Sequence, residues 1–167
     1  MEITSIDQLR ELYPPPKQRS LDKELDHLDD HCRRFIALAP FVLVASADGS
    51  GACDVSPKGG PPGFVRVLDR GRLAIPDATG NRRLDGLQNM LENPHVGLLF
   101  LIPGMGETLR INGRVELTSE PSIVADLETA GRPAQLALVV EVEQVYLHCA
   151  KALIRSALWR PETWADA

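Results

Sequence analysis

The chain has 167 residues, 44% hydrophobic and 25% charged, ordinary values for one globular domain with a sizeable core. Its 18 Lys and Arg against 23 Asp and Glu leave a net charge of -5, which excludes an overall basic field for nucleic acid or an anionic membrane. No apolar run is long enough to span a bilayer, Met1–Ser5 lacks the regions of a signal peptide, and Cys32, Cys53 and Cys149 form neither a disulfide framework nor a zinc motif, so a reducing cytoplasm is the expected compartment.

In chain order, Ser5 and Gln8 are spaced as a capping box, predicting a short helix from Ser5 to Leu12 that Pro14-Pro15-Pro16 ends. Leu21, Leu25, Leu28, Cys32, Phe35 and Ile36 mark a longer amphipathic helix stopped near Pro40. Phe41 to Ala45 reads as a buried strand. Asp48-Gly49-Ser50-Gly51 is a turn into a second strand at Ala52 to Ser56, and Pro57 to Gly63 reads as a Gly/Pro loop. Strands follow at Phe64 to Leu68 and Arg72 to Pro76. A helix from Asn81 ends at Asn93-Pro94. His95 to Ile102 is an apolar strand, and Pro103-Gly104-Met105-Gly106 turns it into a long alternating strand, Thr108 to Thr118. Ser119 is placed to cap a helix that carries Pro121 in its first turn and breaks at Gly131-Arg132-Pro133. Leu136 to Leu147 is the last strand and Cys149 to Leu158 a final helix. The expected organisation is helical arms over 1–39, a β domain over 40–160 and a tail over 161–167. About six strands joined mostly by hairpins, with one helix inserted, predict a mainly antiparallel barrel with peripheral helices rather than a doubly wound sheet.

The most informative segment is Gly80-Asn81-Arg82-Arg83. Asn81 is a good N-cap for a helix whose apolar face carries Leu84, Leu87 and Leu91. Two arginines in its first turn oppose the helix dipole unless an anion, most simply a phosphate, sits there. The plainer alternative is a solvated pair of arginines held by Asp77 and Asp85. Ser56-Pro57-Lys58-Gly59-Gly60-Pro61-Pro62-Gly63 offers a hydroxyl, an ammonium and glycines beside a rigid loop; a plain connecting loop is the alternative. Lys151 and Arg155 are four apart on the last helix, with Ser156 following, and form either an anion clamp or a favourable dipole contact. Thr108, Arg110, Asn112 and Arg114 share one face of a strand, lining a groove or facing water. His27 and His31 read as an exposed polar face rather than a metal site. No Ser/His/Asp arrangement points to hydrolysis.

Taken together, Asp54-Val55-Ser56-Pro57-Lys58-Gly59, Gly80-Asn81-Arg82-Arg83-Leu84-Asp85, Asn93-Pro94-His95-Val96-Gly97-Leu98-Leu99-Phe100, Leu109-Arg110-Ile111-Asn112-Gly113-Arg114 and His148-Cys149-Ala150-Lys151-Ala152 resemble the pyridoxamine 5'-phosphate oxidase-like, FMN-binding split-barrel proteins. The likeness is closest to a bacterial branch of probable FMN-dependent enzymes and runs from about Phe41 to Trp159. It implies a six-stranded antiparallel split β-barrel of the FMN-binding type. It also implies a homodimer with cofactor sites at the subunit interface, and hydride transfer at the flavin N5. Asn81, Arg82 and Arg83 occupy the place of the turn that holds the FMN phosphate, with an Arg where the family often has Lys. Thr108 matches a polar residue that reaches the flavin, and Lys151, Arg155 and Ser156 a C-terminal segment contributed by the other subunit. Ser56 and Lys58 are implied near the flavin edge. Lys58 or Lys151 would stabilise negative charge on the reduced ring. The substrate, the electron donor and any catalytic acid or base are left open. A non-enzymatic FMN carrier, or the same barrel holding deazaflavin or haem, is the alternative reading.

Overall fold

The computed structural model describes residues 2–21, 23–78 and 83–165. Phe41–Ala47 (β1) turns through Asp48 into Cys53–Gly59 (β2). The Asp48 carboxylate accepts from the amides of Ser50 and Ala52 and from the Ser50 hydroxyl, which closes the turn and holds its carboxyl below the usual range. Arg66–Val67 (β3) and Arg72–Pro76 (β4) make a second hairpin. His95–Leu101 (β5), Thr108–Thr118 (β6) and Ala137–His148 (β9) complete an antiparallel sheet in the order β2-β1-β5-β6-β9-β4-β3. Between β6 and β9, Glu128–Thr129 (β7) and Arg132–Pro133 (β8) form a small separate hairpin.

Alternation sets the two faces of the sheet. Val42, Val44, Leu98, Phe100, Leu109, Ile111, Val140 and Val145 turn inward and are buried. Leu73 and Ile75 of β4, together with helix Asp30–Leu38 (α3), complete this core. Opposite the core, Leu43 pairs with Pro57 and Leu99, Ala45 with Val55 and Gly97, and Phe41 with Leu101. These rows are only partly covered, and Val55 is 62% exposed.

The sheet curls into a barrel. β2 and β3 lie at opposite ends of the strand order, yet Lys58 on β2 reaches Asp77, just past β4, at 2.6 Å. A β-bulge assists the bend: Asn112 opposes Gln144 and Gly113 opposes Val142, leaving Glu143 extra. A Cβ on Gly113 would stand 2.0 Å from the Glu141 carbonyl oxygen, so only glycine lets the two backbones approach there.

Several elements depart from their sequence expectation, each for a tertiary or capping reason. The first helix, Ile6–Leu12 (α1), carries the Ser5/Gln8 capping box as expected. The long helix over Leu21 to Ile36 is instead divided between Gln18–Leu21 (α2) and α3. Leu25 exchanges both backbone hydrogen bonds with Val145, and Leu28 donates to Arg70, so this stretch serves the sheet; Asp29 then caps α3 through the Cys32 amide at 2.8 Å. Burial pushes the Cys32 thiol up to about 12, helped by the Asp29 carboxylate. Pro57, Lys58 and Gly59 are strand rather than loop. β2 is an edge, where a proline costs no ladder bond. The helix after Ser119 is one turn, Pro121–Val124 (α5), starting after Glu120 without a side-chain cap. The β7–β8 turn replaces its remainder through the left-handed Ala130 and Gly131. The last helix is Lys151–Arg155 (α6). Trp159 donates its indole N–H to the Met105 carbonyl, fixing the tail onto the β5–β6 turn.

Candidate functional site

The inward row of β2 changes character at the barrel edge. Asp54, Ser56 and Lys58 pair with Ser46, Val44 and Val42, so three polar side chains face the seam where apolar ones face the core further in. Helix Asp85–Glu92 (α4) lies over them. Asn89 of α4 is 8% exposed and donates from Nδ2 to Asp54 Oδ2 at 2.9 Å and to Ser46 Oγ at 3.3 Å. Gly86, one turn earlier, sits against the Ser46 and Ser56 hydroxyls, each 3.6 Å from the place of a Cβ. The Glu92 carboxylate accepts from the Gly49 amide and ties the far end of α4 to the β1–β2 turn.

The start of α4 lies later than the sequence predicts. Leu84 occupies the N-cap position in the left-handed region, φ 64, and no side chain caps the helix. Asp85 in the first turn complements the dipole. Arg83 thus precedes the helix, and its Nε donates to Asp85 Oδ2 at 2.9 Å; for Arg83 the ion-pair alternative is realised. Asn81 and Arg82 lie outside the described residues. The expected apolar face also shifts: Leu84 and Leu91 are exposed, whereas Asn89 and Met90 are buried.

Lys58 is the most withdrawn cation of this cluster, 17% exposed, and Asp77 beside it is 20% exposed. The Asp77 amide donates to the Leu136 carbonyl, which holds the acid on the β4–β9 side of the seam. The seam therefore holds a fixed ammonium and two hydroxyls, and Arg83 precedes the helix start, which has no side-chain cap. This donor set suits a phosphate-bearing ligand.

The remaining expected residues lie elsewhere. Thr108 is buried and pairs with Leu101 and His148. It belongs to the outward row of the sheet, whereas Ser56 and Lys58 belong to the inward row. Three strand spacings separate β2 from β6, about 14 Å along the sheet. Lys151 and Arg155 are exposed on α6, and the Ser156 hydroxyl donates to the Leu153 carbonyl. A cleft of about 450 Å³ opens at this end, between the segment before α3 and β9, with Lys23, His31, Glu107, Tyr146 and His148 among its walls. One chain thus places Ser56 and Lys58 on the inward row of β2 and Arg83 just before α4, while Thr108 lies on the outward row of β6 and Lys151, Arg155 and Ser156 lie at α6.

Asp77 and Asn89 are missed by the sequence reading. Asp77 is weighed there only as an arginine partner, and Asn89 is hidden because the helix face was set by its leucines. Among the described residues no group of His, Cys, Asp and Glu is arranged to hold a metal, and no helix is long and apolar enough to cross a membrane.

The family model for pyridoxamine 5'-phosphate oxidase matches residues 28–149, well over half of the chain. The chain belongs to the pyridoxamine 5'-phosphate oxidase family. The match begins at Leu28, at the entry to α3, and ends at Cys149, just before α6. Solved structures agree on the fold of this family member. HupZ of Group A Streptococcus is 17% identical, with a TM-score of 0.57, over 71% of this chain and 92% of that one. A candidate pyridoxamine 5'-phosphate oxidase from Lactobacillus delbrueckii is 20% identical, with a TM-score of 0.55, over 74% and 98%. A pyridoxamine 5'-phosphate oxidase-related, FMN-binding protein from Nostoc punctiforme is 14% identical, with a TM-score of 0.50, over 72% and 80%. The sheet of this oxidase-family chain is accordingly a split barrel, seven strands counting the two-residue β3. A comparison with curated proteins gives no match.

Proposed function

We propose that this protein is an FMN-binding oxidoreductase that works as a homodimer with its cofactor sites between subunits. The observation that carries the reading is the seam: the fixed Lys58 ammonium and Ser56 share one row, the Ser56 hydroxyl lies against Gly86 of α4, and that helix begins without a side-chain cap just after Arg83. These donors give an acidic protein one local place for an anionic ligand, with the helix start for its phosphate and Lys58 for the rest of it. Family membership and the FMN-binding Nostoc protein of the same fold support the choice of FMN. Bound FMN supplies hydride acceptance and return at its N5.

In this reading Asn81, Arg82 and Arg83 hold the phosphate, and Ser56 and Lys58 face the ring edge. Thr108, Lys151, Arg155 and Ser156 come from the second subunit. Thr108 faces the opposite side of the sheet from Ser56 and Lys58, so a second copy is the simplest way to bring them to one ligand. In this reading Lys58 or Lys151 supplies the positive charge that offsets the negative charge built up on reduction.

The absorbance spectrum of the purified protein tests the reading. A flavin spectrum, or saturable uptake of added FMN that falls at least tenfold in Arg82→Ala and Arg83→Ala, is the expected result. Bleaching by NAD(P)H followed by turnover with an acceptor then separates an enzyme from a carrier. A Soret band moves the assignment to haem. Protein that takes up no FMN, with both arginine variants unchanged, removes the proposal.

A further inference from the structure

The Lys58–Asp77 pair has a geometry that closing the seam does not by itself require. It is the shortest ion pair among those described, at 2.6 Å, and both members are mostly withdrawn from solvent. The other lysine- and arginine-based pairs involve side chains 43–73% exposed. Its two ends come from β2, one edge of the sheet, and from just past β4, next to the other edge, and Asp77 is held by its own backbone bond to Leu136. Lys58 shares its row with Ser56, whose hydroxyl lies against Gly86 in the first turn of α4. A lysine is a compact charge on a four-carbon stem with three donors. One donor spent on Asp77 leaves two, on a head group that no longer sweeps its rotamers.

The geometry points to Asp77 as a positioning residue: it tethers the Lys58 ammonium at the seam so that the remaining two donors meet the anionic or carbonyl edge of the ligand beside Ser56. This rests on the flavin reading above and adds a residue outside the resembling motifs. Asp77 acts through Lys58 and does not itself meet the ligand.

Two comparisons separate tethering from mere seam closure. Asp77→Asn and Asp77→Ala both remove the charge, but only Asn keeps an oxygen that can accept from Lys58. FMN titration of the full chain, followed by flavin fluorescence, should show Asp77→Ala binding at least fivefold more weakly than Asp77→Asn. The exchange of the pair, Lys58→Asp with Asp77→Lys, should restore the melting temperature lost in Lys58→Met. It should leave FMN binding at least tenfold weaker than in the parent protein, since a carboxylate then faces the ligand. Equal FMN affinity in the Asn and Ala variants overturns the inference, as does an exchanged pair that recovers both stability and affinity. A parent protein that takes up no FMN overturns the cofactor reading and the inference together; FMN binding that ignores both tests overturns the inference alone.

Discussion

At Asp29 a single carboxylate decides where a helix starts. The Cys32 amide donates to it, and this bond holds its carboxyl below the ordinary value of 3.8. Because the folded-state pKa is the lower one, the stability it contributes is fully present above pH 4 or so and is lost as pH falls through the folded value. Asp29→Ala should cost about 1 kcal/mol at neutral pH and Asp29→Asn only a few tenths, because asparagine caps as well. The gap between parent and Ala variant should narrow in acid, as read from urea midpoints between pH 3 and 7, while the gap between Asn and Ala variants stays constant. Gly113 is the opposite case, a residue required for what it lacks. A Cβ there meets the Glu141 carbonyl oxygen at 2.0 Å, and that oxygen belongs to backbone that cannot swing aside. Gly113→Ala should cost about 3 kcal/mol or more, and a thermal melt within a few degrees of the parent protein would refute the close approach.

At the scale of elements, α4 is held by polar contacts rather than by its leucines. Asn89 joins it to Ser46 on β1 and Asp54 on β2, and Glu92 joins it to the turn between those strands. Asn89→Ala should therefore destabilise the protein by about 1–3 kcal/mol, because Ser46 and Asp54 lose a buried donor. It should also weaken FMN uptake by loosening the helix start beside Ser56, whereas Leu91→Ala, at a side chain 75% exposed, should change neither. Such links also mark what the sequence made legible. Strand Thr108–Thr118 and the Ser5 capping box were readable because alternation and capping are local. The run from Leu21 to Ile36 carries a helical spacing, yet Leu25 and Leu28 give their backbone bonds to Val145 and Arg70, partners far away in the chain. Ser56 and Lys58 were legible as residues of a motif. Their place on one seam with Asp77 was not, because nothing local says that the two edges of the sheet meet.

For the whole molecule, the outward sheet face sets the question. Its rows run Pro57–Leu43–Leu99–Arg110–Tyr146 and Val55–Ala45–Gly97–Asn112–Gln144. The β2–β1–β5 half of these rows is apolar and only partly covered. The β6–β9 half carries Arg110 over the Tyr146 ring, 5.6 Å from its centroid, and Asn112 bonded to Gln144. A patch apolar at one side and aromatic and cationic at the other has the composition of a protein interface, and a stable dimer needs about 800 Å² from each partner. Leu99 stands mid-row in that face. Leu99→Glu should therefore give a monomer in sedimentation velocity with an unchanged circular dichroism spectrum, because an unpaired charge at the centre of an interface costs several kcal/mol whereas at a monomer's surface it costs little. On the proposed dimer, FMN affinity should fall at least tenfold in the same variant although Leu99 lies on the opposite sheet face from Lys58, since the second subunit's contribution to the site is then lost. A monomeric Leu99→Glu that binds FMN like the parent protein would show that one chain completes the site alone, and the outward-facing Thr108 cluster would then need a different ligand.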